Sequence, residues 1–315
     1  MTIRHLRIFI EVAESGKMSL AANKFFLSQP TVSQVIAELE EHYHTRLFER
    51  LSKKLYITDS GRTLLHYAKQ VVSSFDDLEY TMLHSFSSQP LRIGASVTVG
   101  TCLVNPIIDE FHKSNPDTEV EVHVNNTHII EELLLNSQLD LALVEGKIKS
   151  PNLTVTPVID DFLVLVCGKD HPFAQRNVVC LQELSKEKFI LREAGSGTRE
   201  LFETYMKAKN VPIQVSWICN NSEAIKNAIL DNHGISVISA RLLEKEIREG
   251  SIHIVRVQDC LQYSECIWKR EFSLVIHKNK YITPAMSAML DTIQSFRDDN
   301  IFDLLPNLDG YQHLS

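Results

Sequence analysis

Three groups of residues have the types and spacing that could do chemistry. The first is SQPTVSQVIAELE, Ser28 to Glu40. Val32, Val35, Ile36 and Leu39 give a helix an apolar stripe, which leaves Ser33, Gln34 and Ala37 on or beside the opposite face. A glutamine amide held on a helix can bond adenine N6 and N7 together. Hydroxyls such as Thr31 and Ser33 can bond bases or phosphates, and an alanine admits a thymine methyl. The second group is basic: Arg50, Lys53 and Lys54, which with Ser28 and Gln29 at the helix start could hold phosphates. The third is a pair of hydroxyl-rich helix starts, Ser96-Val97-Thr98 and Gly195-Ser196-Gly197-Thr198. Backbone amides at a helix N-terminus carry partial positive charge, and hydroxyls add donors, so each start could hold an anion. The competing reading is that these hydroxyls only cap their helices. Glu145, at the end of an apolar strand, is expected to face the same cleft, where it would suit a cationic part of a ligand.

Other chemistry finds no matching residues. Gly195-Ser196-Gly197 is not a G-x-S-x-G nucleophile elbow. GASVTVG lacks the G-x-G-x-x-G phosphate fingerprint, and His123 and His128 are not at zincin spacing. No metal site or cofactor is expected. Six scattered cysteines form no C-x-x-C pair, so they read as reduced, mostly buried thiols. No secretory segment opens the chain and no apolar run reaches the roughly 18 residues of a membrane span, which reads as a cytoplasmic protein. The net charge of −8 argues against nucleic acid, but the charge is unevenly placed. Residues 1–60 hold eight Lys/Arg and seven Asp/Glu, a balance of +1. The rest holds 24 and 33, a balance of −9. A weakly basic head on an acidic body fits DNA better than the total does.

The elements that must position these groups can be read from periodicity. Ile3, Leu6, Ile10 and Ala13 predict a first helix that Gly16 stops. A second runs from about Met18 to Phe26. Ala21 and Ala22 let the third, opening at Gln29-Pro30, cross it closely. Leu47–Gly61 reads as two short strands around the basic turn. Leu64, Ala68, Val71, Phe75, Leu78 and Met82 then recur at spacings of four and three, a heptad seam that predicts pairing with another helix. From Leu91 the pattern alternates strand and helix, with strands at 91–95, 118–124, 139–145, 162–167, 189–191, 214–219, 235–239, 252–257 and 271–277. That order predicts parallel sheets in two α/β lobes around a cleft.

The order AANKFFLSQPTVSQVIAELE, then LFERLSKKLYITDSGRTLL, then an α/β body beginning LRIGASVTVG, resembles the LysR-type transcriptional regulators over essentially the whole chain. LREAGSGTRE, DLALVEG and NNSEAIKNAI are similar to the branch that governs sulfur or carbon assimilation. The resemblance implies an α + α/β chain: an N-terminal winged helix-turn-helix over 1–58, a linker helix for dimerisation over 59–89, and a two-lobed effector domain of periplasmic-binding-protein type over 90–315. It implies double-stranded DNA, a small effector and a second copy of the chain (homodimer or homotetramer) as partners, with RNA polymerase as a further candidate. DNA contacts would fall on Ser28, Gln29, Thr31, Ser33, Gln34, Arg50, Lys53 and Lys54. The effector would meet Ser96, Val97, Thr98, Glu145, Ser196, Gly197 and Thr198, and an anionic metabolite is the expected class. A stand-alone solute-binding protein or a metabolic enzyme is the alternative; the first needs an export signal and no DNA-binding head, the second a triad, metal cluster or cofactor loop.

Overall fold

The computed structural model describes residues 1–51, 54–83, 90–176, 178–259, 264–265 and 268–297. The chain forms two compact units, Met1–Gln89 with Leu135–Gln138, and Pro90–Leu134 with Leu139–Ser315.

In the first unit, α1 (Ile3–Ser15) is capped by the Thr2 side chain and ends on Gly16, whose φ of 65° suits a residue without Cβ. Helix α2 (Met18–Lys24) ends two residues before the expected Phe26. Helix α3 (Gln29–His42) opens on the Ser28 cap with proline in its first turn. Strands β1 (Phe48–Leu51) and β2 (Lys54–Ile57) pair antiparallel as a wing. Glu40 Oε1 accepts from the amides of Leu47 and Phe48 at 2.8 and 3.2 Å, which ties the wing to α3. Leu6, Phe9, Val12, Ala21, Ala22, Val32, Ile36, Leu39 and Phe48 form the core, with both alanines buried where α2 and α3 cross.

Helix α4 (Asp59–Leu83) departs from the expected seam. Ala68 is buried in the core of this unit and Leu64 packs against it, so these two serve their own fold rather than a partner. Phe75 is half-buried, with the Arg7 guanidinium 5.9 Å from its ring centre and Arg7 also bonded to Asp76. Among the described side chains of α4, the apolar ones left exposed are Tyr67, Val71, Leu78 and Met82, at 56, 47, 56 and 72 %. Val71, Leu78 and Met82 belong to the predicted seam and Tyr67 lies beside it, whereas Leu64 and Ala68 leave it because that face of the helix turns to α1.

The second unit begins with β3 (Leu91–Ser96), α5 (Val97–Cys102), α6 (Val104–Ser114), β4 (Val120–Asn125), α7 (Thr127–Leu135) and β5 (Leu141–Glu145). The alternation of strand and helix predicts one helix between the first two strands of this unit, but two are found, with a break at Leu103. Pro106 explains the break, since its ring opposes a helical carbonyl four residues earlier, at Cys102. The long strand β6 (Leu153–Gly168) follows, then β7 (Val179–Cys180), β8 (Lys188–Arg192), α8 (Gly197–Ala208), β9 (Gln214–Cys219), α9 (Ser222–Leu230) and β10 (Ser236–Ser239). A 3-10 turn at Ala240–Leu242 leads to α10 (Glu244–Arg248), β11 (Ile252–Val255), β12 (Val257–Asp259), β13 (Ser264–Glu265), β14 (Trp268–His277) and α11 (Pro284–Ser295).

The predicted all-parallel sheets are corrected in one respect. Strands β3, β4 and β5 are parallel, as are β8 and β9. But β6 and β14 run antiparallel to each other over nearly their full length, and β14 is antiparallel to β5. These two strands pass between the lobes, one outward and one returning, so neither needs a crossover helix. One apolar core lies among β3, β5, α6 and α11, and others lie around β8, α8 and α9. Cys102, Cys167 and Cys219 are free thiols. Cys180 is disulfide-bonded, which corrects the expectation of reduced thiols throughout.

Candidate functional site

In the second unit, Ser96 and Glu145 end neighbouring strands β3 and β5, and Thr98 opens α5. Ser196, Gly197 and Thr198 open α8. The four hydroxyl residues and Glu145 are each at most 4 % exposed, and Gly197 is buried beside them. Two glycines make this approach possible. A Cβ on Gly146 would lie 2.6 Å from Gly197 Cα, and a Cβ on Gly197 would lie 2.6 Å from the Glu145 carbonyl oxygen. The sequence-predicted residues of the two helix starts therefore do meet.

What holds them together is a residue the sequence reading missed. Arg270, on β14, donates from Nε to Asp161 Oδ2 at 2.6 Å and from Nη1 to Thr198 Oγ1 at 2.8 Å. Its Nη2 reaches Thr98 Oγ1 at 3.5 Å, and its Nη1 lies 4.0 Å from Glu145 Oε1. Asp161, on β6, also accepts from Ser239 Oγ at 2.6 Å and lies 3.6 Å from Arg241 Nε. Thr98 donates to Glu145 Oε1 at 3.3 Å, and Ser96 Oγ donates to Glu145 Oε2. Glu145 was expected to await a cationic ligand group; here the chain itself supplies that cation. Burial pushes the Glu145 carboxyl above its ordinary value, against the pull of Arg270 and then Arg192. The signal for this network was in the sequence. Asp161 precedes the apolar run FLVLV and Arg270 stands in an alternating strand, both unusual places for a charge.

The capping alternative fails at both starts. Neither Ser96 nor Ser196 makes a side-chain capping bond to its helix. The Ser196 hydroxyl, on a residue 2 % exposed, has no hydrogen-bond partner among the described residues, a cost that buried polar groups rarely bear unused. Val97, half-buried, faces elsewhere. It lines a cavity of about 640 Å³ with Thr101, Cys102 and Pro106 of one lobe and Asn221, Ser222, Lys226, Arg241 and Leu242 of the other.

In the first unit, the Ser28 hydroxyl caps α3 and lies 2.8 Å from the Thr31 hydroxyl. Gln29, Thr31 and Gln34 are exposed. Gln34 Nε2 donates to Glu38 Oε1 at 3.0 Å. Ser33 and Ala37 line a groove of about 480 Å³ with Glu40, Phe48, Glu49 and Leu55. Arg50 and Lys54 are placed by their backbone on β1 and β2, and Lys53 lies outside the described residues. Among the described residues no His/Cys/Asp/Glu group could hold a metal, and no helix is long and apolar enough to cross a membrane.

Comparison with known proteins covers both units. Residues 3–62 match the bacterial regulatory helix-turn-helix protein of the lysR family, and residues 84–297 match the LysR substrate binding domain. A probable RuBisCO transcriptional regulator of Guillardia theta is 30 % identical over 288 residues, 89 % of this chain and 91 % of that protein. Full-length OxyR from Pseudomonas aeruginosa superposes with a TM-score of 0.67 at 20 % identity, covering 94 % of this chain and 95 % of that one. The Synechocystis PCC6803 CcmR regulatory domain in complex with 2-PG is 27 % identical, with a TM-score of 0.59, over 65 % of this chain and 95 % of that domain.

Proposed function

The chain belongs to the LysR family of transcriptional regulators, and from that premise we propose that it is a cytoplasmic, non-enzymatic switch. Its α3 helices read an interrupted inverted repeat in duplex DNA, under the control of a small anion bound between the lobes. Paired copies of the chain mirror the two-fold symmetry of such a site. Ser28, Gln29 and Thr31 would meet the backbone and Gln34 the bases. Ser33 and Ala37 would border the contact, and Arg50, Lys53 and Lys54 would hold phosphates from the wing.

The observation that carries the effector reading is the unpartnered Ser196 hydroxyl at the start of the 12-residue α8. It leaves a donor unspent beside helix amides, and the glycine approach brings Ser96, Thr98 and Glu145 of the other lobe to the same place. An anion there would bind Ser196, Gly197 and Thr198 of one lobe. By competing for Arg270, it would also shift the bonds that tie Thr198 to Thr98 and Glu145. A ligand that touches both lobes differs in affinity between open and closed forms, which any ligand-driven switch requires. The cavity beside Val97 gives room for the remainder of the molecule.

The test is calorimetry on the full chain with sulfate, phosphate, 2-PG and short carboxylates, repeated on Ser196→Ala. Removing a hydroxyl that meets an anion should weaken binding by about 1–3 kcal/mol, while removing an unpaired buried hydroxyl should leave stability equal or higher. An anion that binds Ser196→Ala undiminished would place the effector away from α8.

A further inference from the structure

Phe26 is the most conspicuous unused residue of the first unit. Its side chain is 96 % exposed, and its backbone is in the left-handed region at φ 54°. The cause is local. Helix α2 ends in a two-bond cap in which the Leu27 amide donates to the Ala22 carbonyl at 2.9 Å and the Phe26 amide to the Asn23 carbonyl at 3.3 Å. In that cap the residue at Phe26 must turn left-handed, and glycine is the usual occupant because any Cβ is crowded there. Leu27 and Ala22 pack into the core and lock the turn. The turn therefore presents the residue-26 side chain to solvent whatever it is. A bulky aromatic there opposes backbone preference and leaves an apolar ring in water, and neither cost is offset by a contact of that ring among the described residues.

We propose that Phe26 is a DNA-contact residue whose ring packs on the sugar–phosphate backbone beside the entry of α3; this rests on the reading of α3 as the groove helix. Three features of this unit select that occupant. Phe26 stands two residues before Ser28, the cap of α3, so the ring emerges at the end of the helix that faces DNA. Ser28, Gln29, Pro30 and Thr31, which follow it, are all exposed, so nothing among the described residues of this unit covers that edge. The N-terminus of the 14-residue α3 also carries the partial positive charge that draws a phosphate to the same edge, next to the apolar face of its sugar. A ring on deoxyribose adds contact without neutralising charge. It therefore contributes affinity that salt does not remove.

The experiment uses the full chain with Phe26→Gly, Phe26→Asn and Phe26→Tyr. Binding is measured by fluorescence anisotropy on a duplex selected in vitro by the wild-type protein and on an unrelated duplex, over a range of salt. Glycine and asparagine both accept the left-handed turn, so melting temperatures should be unchanged or higher. Both variants should bind about 5–30-fold more weakly on either duplex with the same salt slope, and Tyr should bind like the wild type. If Phe26→Gly fails to fold, Phe26→Asn carries the test. Wild-type affinity in Phe26→Gly or Phe26→Asn overturns the proposal. So does normal DNA binding with lost transcription, which would assign the ring to a protein partner instead. A wild-type protein that selects no duplex would instead overturn the reading of α3.

Discussion

Arg270 Nη1 donates to Thr198 Oγ1 at 2.8 Å, joining the returning strand β14 to the start of α8. The same guanidinium holds Asp161 through Nε at 2.6 Å, so one side chain fixes an outgoing strand, a returning strand and a helix start. Both charges are almost fully buried, with Arg270 5 % and Asp161 0 % exposed at their side chains. Removing one partner of such a pair leaves an uncompensated charge and costs about 3–5 kcal/mol. Arg270→Met should destabilise the chain on that scale in urea unfolding. Arg270→Lys should cost less, because it keeps the charge but loses the planar fork that serves Asp161 and Thr198 together. A loss under about 1 kcal/mol for Arg270→Met would show that Arg241 alone satisfies Asp161.

Glu145 makes stability depend on pH in a definite direction. Its folded carboxyl titrates above the ordinary glutamate value of 4.5, chiefly because burial disfavours the charge. Below that value both folded and unfolded chains hold the proton and Glu145 adds no slope. Above it the unfolded chain releases the proton first, so the stability contributed by the bound proton is lost as pH rises through the folded pKa. Glu145→Gln cannot titrate. The stability difference, Glu145→Gln minus wild type, should therefore grow as pH rises from about 4.5 and level off above the folded pKa. A difference that stays constant from pH 4 to 8 would mean the folded carboxyl titrates normally.

Asp140 shows the opposite slope. Burial alone would raise its carboxyl, but Arg92 and then Lys280 hold it below the usual value. Arg92 Nη2 donates to Oδ1 at 2.8 Å and Lys280 Nζ lies 2.7 Å from the same oxygen. A depressed carboxylate stabilises the fold above its unfolded pKa, and that contribution is lost as pH falls through the folded one. Asp140→Asn should destabilise at pH 7 and progressively less below pH 4. Equal destabilisation at pH 7 and pH 3 would assign the effect to packing alone.

The helix α4 separates two kinds of apolar residue, and charge insertion should tell them apart. Ala68 is 1 % exposed inside its own unit, whereas Val71 and Leu78 are about half exposed. Ala68→Asp should unfold the winged unit, because it buries an unpaired charge. Val71→Asp and Leu78→Asp should leave circular dichroism intact but dissociate the paired helices in sedimentation. Phe75→Asp is the less clean probe, since Arg7 already covers that ring. A dimer that survives both Val71→Asp and Leu78→Asp would exclude α4 from the interface.

Local features were legible in the sequence and long-range ones were not. The α3 stripe, the Gln29-Pro30 opening and the crossing alanines follow from neighbours within a few turns, and the helix starts at Ser96 and Ser196 follow from hydroxyls and glycines at strand ends. The first half of β6 was hidden, because Leu153–Ile159 carries Pro157 and alternates weakly, and its strand state depends on pairing with β14. The Arg270–Asp161 pair joins residues 109 positions apart, so no window of periodicity could bring them together. The inward turn of Leu64 and Ala68 on α4 was hidden for the same reason. Leu64 and Ala68 fit a heptad, and only the position of α1 decides that they face inward.

Reading a base costs Gln34 at most one exposed bond. In the free protein Gln34 Nε2 donates to Glu38 Oε1 at 3.0 Å, and His5 Nε2 lies 3.2 Å from the other Glu38 oxygen. Adenine recognition takes the amide oxygen and one of the two amide N–H groups, so turning Gln34 onto a base costs at most its bond to Glu38. That exposed bond, one turn along the helix, is worth only about 0.2–0.5 kcal/mol. The base contact is worth about 1–3 kcal/mol, so the exchange favours binding. Gln34→Ala should therefore lose discrimination at one base pair, measured on a set of singly substituted duplexes. Glu38→Ala should bind every duplex modestly tighter, since it frees Gln34 and removes a carboxylate from the phosphate side. If Glu38→Ala weakens binding while Gln34→Ala leaves base preference unchanged, then Glu38 is the reader and Gln34 its support.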